Sequence, residues 1–166
     1  MSEAQTIRRE LRPGDLGEIT SLHGQLYSEE YGLSVIFEAD LAVGLGHAVE
    51  AGWPERNGGV WLADHEGRVA ASMALTFESE EESRLRWVLV APALRGHGLA
   101  RAMLAEAVAM SDEAGRSLVS FDTFSELTTA GRMYRESGFE VVSEQEWNRW
   151  GRPLTLQRYE RRTARA

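Results

Sequence analysis

The chain has 166 residues, enough for one domain with a buried core, and its 43% hydrophobic and 27% charged composition is that of an ordinary globular protein. A net charge of −8 speaks against nucleic acid as the main partner, which needs clustered cations. There is no cysteine, and all 18 basic residues are arginine. This excludes thiolate nucleophiles, disulfides, cysteine metal sites, Schiff bases and the lysine-dependent P-loop.

In chain order, residues 7–11 read as a short strand ended by the turn Arg12-Pro13-Gly14. Asp15 is then the expected N-cap of a helix carrying Leu16, Ile19, Leu22 and Leu26 on one face. A second helical stretch, 34–51, is interrupted by Gly44 and Gly46. Residues 60–63 and 69–77 form a hairpin about the turn 64–67. The turn 78–83, expected to be exposed with Glu78, Glu80, Glu81 and Glu82, leads into a strand over 84–90. That strand alternates only partly and closes on an apolar run at Pro92, as a central strand does. A helix opens near Gly98 with Leu99, Met103, Leu104, Ala107 and Val108 on one face, and Gly115 ends it. A strand at 118–121, a helix at 127–137 closed by Gly138, and strands at 139–143 and 154–161 complete a mixed α/β sheet with helices on both faces. The domain is expected to span 6–161, with frayed ends at 1–5 and 162–166. No apolar run approaches the roughly 20 residues that cross a bilayer. The N-terminus lacks a signal pattern, so a cytoplasmic location away from membranes is expected.

The segment most suggestive of chemistry is Arg95-Gly96-His97-Gly98-Leu99-Ala100, which opens a helix soon after an apolar strand. Glycines allow close backbone approach, the first-turn N–H groups lack helical acceptors, and the helix dipole favours an anion such as a pyrophosphate. Arg95 or Arg101 can add charge-assisted bonds. A ligand-free glycine turn also satisfies this hexapeptide. A dinucleotide fingerprint fits less well, because Arg101 stands where that motif wants a third small residue.

Arg-x-x-Gly-x-Ala after a strand ending Val-Leu-Val-x-Pro resembles the acetyl-CoA signature of GNAT-type N-acetyltransferases. The segment Ala130-Gly-Arg-Met-Tyr134-Arg-Glu-Ser-Gly-Phe139 is similar to that family's second motif. The segments from His23 to Gly32 and from Gly151 to Tyr159 resemble acetyltransferase domains often fused to winged-helix regulators of the multiple-antibiotic-resistance type, here in a freestanding form. The resemblance implies a bacterial, single-domain, mostly antiparallel sheet with a splayed strand pair at the cofactor site. It implies an acyltransferase that moves the acetyl group of acetyl-CoA, without a metal, to an amine of a small molecule or peptide by direct attack. It leaves homodimer formation open.

Carried over residue by residue, Leu89 and Val90 would hold the pantetheine arm and Arg95, Gly96, His97, Gly98, Leu99 and Ala100 the pyrophosphate. Thr123-Phe124-Ser125 stands where the family often carries an asparagine after the fifth strand, so that contact is absent or supplied by Ser125. Tyr134 would be the general acid toward the departing thiolate, although a helical face shared with Leu127 and Ala130 also suits a packing role. His23, Tyr27 and Glu30, at i, i+4 and i+7, read as a substrate-pocket wall or a solvated flank. No carboxylate lies in 84–90 to act as base, and His47 and His65 read as surface residues. A non-catalytic acetyl-CoA sensor and an acetylase of charged tRNA are the competing readings, the second disfavoured by the net charge.

Overall fold

The computed structural model describes residues 5–163. In order these form β1 (Ile7–Arg8), α1 (Asp15–Tyr31), α2 (Val35–Glu50), β2 (Gly58–His65), β3 (Arg68–Phe77), β4 (Glu82–Val90), α3 (Leu99–Glu113), β5 (Leu118–Phe124), α4 (Thr128–Glu136), β6 (Glu140–Trp147) and β7 (Leu154–Arg162). They build one seven-stranded sheet in the order β1-β2-β3-β4-β5-β7-β6. All pairings are antiparallel except β4–β5. The α3 crossover makes that parallel neighbour possible.

The expected element order is reproduced, with a few local differences. The turn between β2 and β3 is two residues, Glu66 and Gly67, both at positive φ (52° and 76°), which matches strand twist in a tight hairpin. Glu82 leaves the acidic turn and begins β4, where it accepts bonds from Ser120 Oγ and Arg158. At the ends, the Gln5 side chain donates to Asp64 O and the Thr163 N–H to Ser117 O. The remaining expected frayed residues, 1–4 and 164–166, lie outside the described residues.

Two apolar layers sandwich the sheet. On one face Leu99, Met103, Leu104 and Ala107 of α3 and Tyr134 of α4 pack on Trp61, Met73, Leu85 and Phe121. On the other, Ile19, Tyr27, Phe37, Leu41 and Leu45 of α1 and α2 pack on Val60, Leu62, Ala74, Leu89 and Phe124. No helix among the described residues is long and apolar enough to cross a membrane.

Asp15 does not cap α1; Gly14 does, at φ 101°. The Asp15 carboxylate instead reaches back, accepting from Arg12 N at 2.6 Å and from both Arg8 Nη atoms at 2.7 Å, while Arg8 also donates to Asp64. Burial opposes the Asp15 charge, but the Arg8 and Arg12 bonds outweigh it and hold the carboxyl below the ordinary aspartate range. A lowered carboxyl pKa stabilises the fold above the unfolded value, about 4, and that stabilisation is lost as pH falls through the folded value. Asp15→Ala leaves a buried guanidinium and a backbone donor short of partners. The expected loss is about 2–3 kcal/mol at neutral pH, or roughly 5–10 °C in Tm. Thermal melting at pH 7 and pH 3 checks both points: the gap between variant and wild type should narrow at the lower pH.

Candidate functional site

The site arises from two defects in β4. The first is a bulge. Ser72 faces Leu89 and Ala74 faces Arg86, so Trp87 and Val88 stand together opposite Met73. Trp87 takes φ 50°, an uncommon value for a bulky residue, and its carbonyl is held by Ser72 Oγ at 2.7 Å. Leu85 packs toward α3, so Arg86 points to the α1/α2 face, and the bulge puts Trp87 on that face as well.

The second defect is a splay. β4 and β5 pair only at Glu82–Leu118, Ser83–Val119 and Arg84–Ser120. Above those three rungs β4 stays bonded to β3 as far as Val90, and β5 to β7 as far as Phe124. The two strands therefore diverge from Leu85 and Phe121 onward. A cavity of about 960 Å³ fills the opening, reaching from α1 and α2 through the cleft to the start of α3 and to α4.

Beyond Val90 the chain makes a short 3-10 turn, Pro92–Leu94, and then the glycine loop. Gly96 and Gly98 both take left-handed φ (81° and 75°), and a Cβ at either would meet nothing within 4 Å. Open space and exposed backbone therefore coincide at the α3 N-terminus, where the N–H groups of Leu99, Ala100 and Arg101 have no helical acceptor. Gly96, Gly98, Leu99 and Ala100 line the cavity together with Leu89 and Val90.

Arg95 lines the cavity too, but its guanidinium is not directed to the helix terminus. Nε donates to Val90 O at 2.9 Å and Nη2 pairs with Glu30 at 2.8 Å, fastening the end of α1 to the glycine loop. His97 is exposed and lies outside the cavity lining. Ser125 is also outside: it is exposed past the end of β5, with its N–H held by Thr155 O, and Thr123 and Thr128 bring the hydroxyls at that edge. The Ser125 side chain thus stands apart from the cavity that Thr123 and Thr128 line.

Tyr134 is buried, with its ring against Phe121 (centroids 4.3 Å) and Tyr159 (5.5 Å), yet it lines the cavity. Its hydroxyl has no hydrogen-bond partner among the described residues. Burial, and then the neighbouring Tyr27 and Tyr159 phenols, push its pKa above the usual tyrosine value. Tyr27 approaches from the opposite face, and its hydroxyl donates to Val88 O in the bulge at 3.3 Å.

Of the three polar groups expected along α1, all line the cavity, each with a different engagement. Tyr27 serves the bulge and Glu30 holds Arg95. His23 is buried, and its Nδ1 lies 2.8 Å from Ile19 O, so Nδ1 carries the proton and the unpartnered Nε2 is a bare acceptor. Burial lowers its pKa to about 4. Sequence reading missed Phe37, Asp40, Arg86, Trp87 and Trp150 in the cavity wall. The signal for Arg86 and Trp87 was the broken alternation of 84–90, which marked a bulge.

The sheet is thus splayed at its parallel pair, with a bulged strand on one side and a glycine-opened helix on the other. A family model described as "Acetyltransferase (GNAT) domain" matches residues 56–141, and the chain belongs to this GNAT acetyltransferase family. Among solved structures it is similar to Ard1 from Thermoplasma volcanium (21% identity, 98% of this chain and 100% of that one, TM-score 0.73). It is also similar to yncA from Salmonella typhimurium, solved with its cofactor acetyl-CoA (16% identity, 99% and 96%, TM-score 0.73). A third is a ribosomal-protein-alanine N-acetyltransferase from Brucella melitensis (20%, 95% and 99%, TM-score 0.71). A search of curated protein sequences found no match.

Proposed function

We propose that the protein transfers the acetyl group of acetyl-CoA to an amine of a small molecule or peptide by direct attack. The observation that carries this reading is the cleft itself. It joins a helix N-terminus with free N–H groups to a buried phenol through a gap lined by unpaired strand backbone. The residues present fit acetyl-CoA: glycines with open space at 96 and 98 for the pyrophosphate, and the diverging edge of Leu89 and Val90 for the arm. Acetyl-CoA supplies an acetyl group already activated as a thioester, so an enzyme nucleophile is unnecessary. Tyr134 holds a proton facing the cleft, the role we assign to the acid that serves the departing sulfur. The α1/α2 side receives the acceptor.

Incubation with acetyl-CoA and a panel of amines, followed by thiol release and product mass, tests the reading. An acetylated amine is expected. Acetyl-CoA binding with no amine acetylated would instead make the protein a sensor.

The pH dependence follows from the site. His23, at about 4, is neutral throughout the working range, and Tyr134 stays protonated beyond its usual value of about 10. From ordinary phenol acidity the sequence suggests a rate that rises and then falls; the burial of Tyr134 removes the falling limb. The value of kcat/KM should climb as the acceptor deprotonates and level off without decline up to about pH 10. A fall before pH 10, in protein shown to be folded there, would contradict the assignment of Tyr134.

A further inference from the structure

The charges lining the cavity balance in pairs, apart from Arg86 and from Arg132, an exposed residue of α4. Glu30 pairs with Arg95, Asp40 with Arg149 at 2.7 Å, Asp122 with Arg84 at 2.7 Å, and Glu126 with Arg152 at 2.5 Å. Arg86 lines the same cavity, half-buried, and no ion pair or hydrogen bond joins it to any described residue. Its close neighbour is the Trp87 indole, 5.0 Å from the guanidinium carbon to the ring centroid. Burial and the like charge of Arg84 act against its charge, with only Glu78 acting in its favour, yet a guanidinium stays protonated at any working pH. Five donors on a partly desolvated cation are left for something that is not part of the chain.

That something is not the pyrophosphate. Four strand residues, about 13 Å, and then a loop separate Arg86 from the glycine turn, and Arg86 faces α1 and α2 rather than α3. Trp87 flanks it, and Tyr31, Phe37, Leu41 and Trp150 give the same cavity an apolar and aromatic wall. The bulge sets Arg86 and Trp87 side by side on this wall, where the indole flanks the guanidinium.

We propose that Arg86 binds the carboxylate of the acceptor, which makes the substrate class amines that carry a carboxylate beside an apolar or aromatic side chain, as hydrophobic amino acids do. This inference rests on the N-acetyltransferase reading and narrows it. A bidentate guanidinium–carboxylate contact orients the acceptor as well as binding it, so the amine is presented to the cleft in a single pose.

The experiment compares phenylalanine and leucine with their methyl esters as acceptors for the full chain, in wild type and Arg86→Gln. Taking the ratio of wild type to variant for each acceptor cancels the different basicity of acid and ester amines. For the acids, kcat/KM should fall by roughly 10- to 100-fold in the variant, while the esters and the KM for acetyl-CoA stay near wild type. Equal effects on acids and esters, or none on either, overturn the inference. Turnover of neutral amines without turnover of acids overturns it too and leaves the acetyltransferase reading standing; acetylation of no amine at all overturns both. If Arg86→Gln does not fold, calorimetry on wild type decides. N-acetylphenylalanine should bind at least tenfold tighter than its methyl ester, and equal binding rejects the role of Arg86.

Discussion

Replacing Tyr134 by phenylalanine is expected to lower kcat by about 10²–10⁴-fold, the usual worth of a general acid, while acetyl-CoA affinity stays close to wild type. The substitution is unusually clean in this fold. The ring contacts to Phe121, Phe139 and Tyr159 are retained. The hydroxyl that is lost has no partner within the described residues, so no buried donor or acceptor is orphaned. Stability should therefore change by less than about 1 kcal/mol. A packing role predicts the reverse, a shifted melting temperature with normal turnover. Tyr27 offers an internal control because it is a second buried phenol in the same cleft, but its hydroxyl is spent on Val88 O. Tyr27→Phe should cost far less in kcat than Tyr134→Phe. Full-rate turnover by a Tyr134→Phe protein that melts like wild type removes Tyr134 as the acid, and the proton must then come from water or another group.

Why some of this was legible in the sequence and some not follows from the range of the interactions. The α3 face of Leu99, Met103, Leu104 and Ala107 is set by a local period, and it is buried as read. The glycine loop is equally local: Gly96 and Gly98 adopt conformations that other residues disfavour, so the chain announces them. β6 shows the limit. Expected over 139–143, it runs Glu140–Trp147 as the outermost strand, paired to β7 alone and exposed at most positions, so no alternating apolar signal marks its second half. Asp15 was misread because N-capping is judged from neighbours, whereas its carboxylate is claimed by Arg8 on another element.

The site shows the same division. The motif residues Gly98 and Tyr134 were readable from their own segments, and both line one cavity. The engagement of Arg95 by Glu30, 65 positions away, was not, because an ion pair between helix and loop leaves no periodic trace. Arg86 was hidden for another reason. An arginine in a strand reads as a solvent-facing residue; here alternation from Leu85 sends Arg86 to the α1/α2 face, and the splay opens the cavity that it lines.

Gly98→Glu is expected to weaken acetyl-CoA binding by about 100-fold or more without unfolding the protein. Two effects must be separated. Gly98 sits at φ 75°, and a side chain there costs about 1–2 kcal/mol of conformational strain. Space is not the difficulty, since a Cβ would meet nothing within 4 Å. The new carboxylate would even offset part of the strain, because a negative charge at a helix N-terminus is favourable. The same location makes it harmful to binding, for it occupies the anion cradle and repels the phosphate groups. Like charges 4 Å apart at a protein surface repel by about 4 kcal/mol before salt screening, enough for a loss of two to three powers of ten. Gly98→Ala is the control, since it carries the strain without the charge and should weaken binding by roughly tenfold at most. Calorimetry with acetyl-CoA at two salt concentrations, beside melting curves, reads both terms. The Glu variant should recover part of its affinity relative to the Ala variant as salt rises, because screening acts on repulsion and not on φ. Unchanged affinity in a folded Gly98→Glu protein would mean that the pyrophosphate binds elsewhere, and the α3 terminus would lose its role.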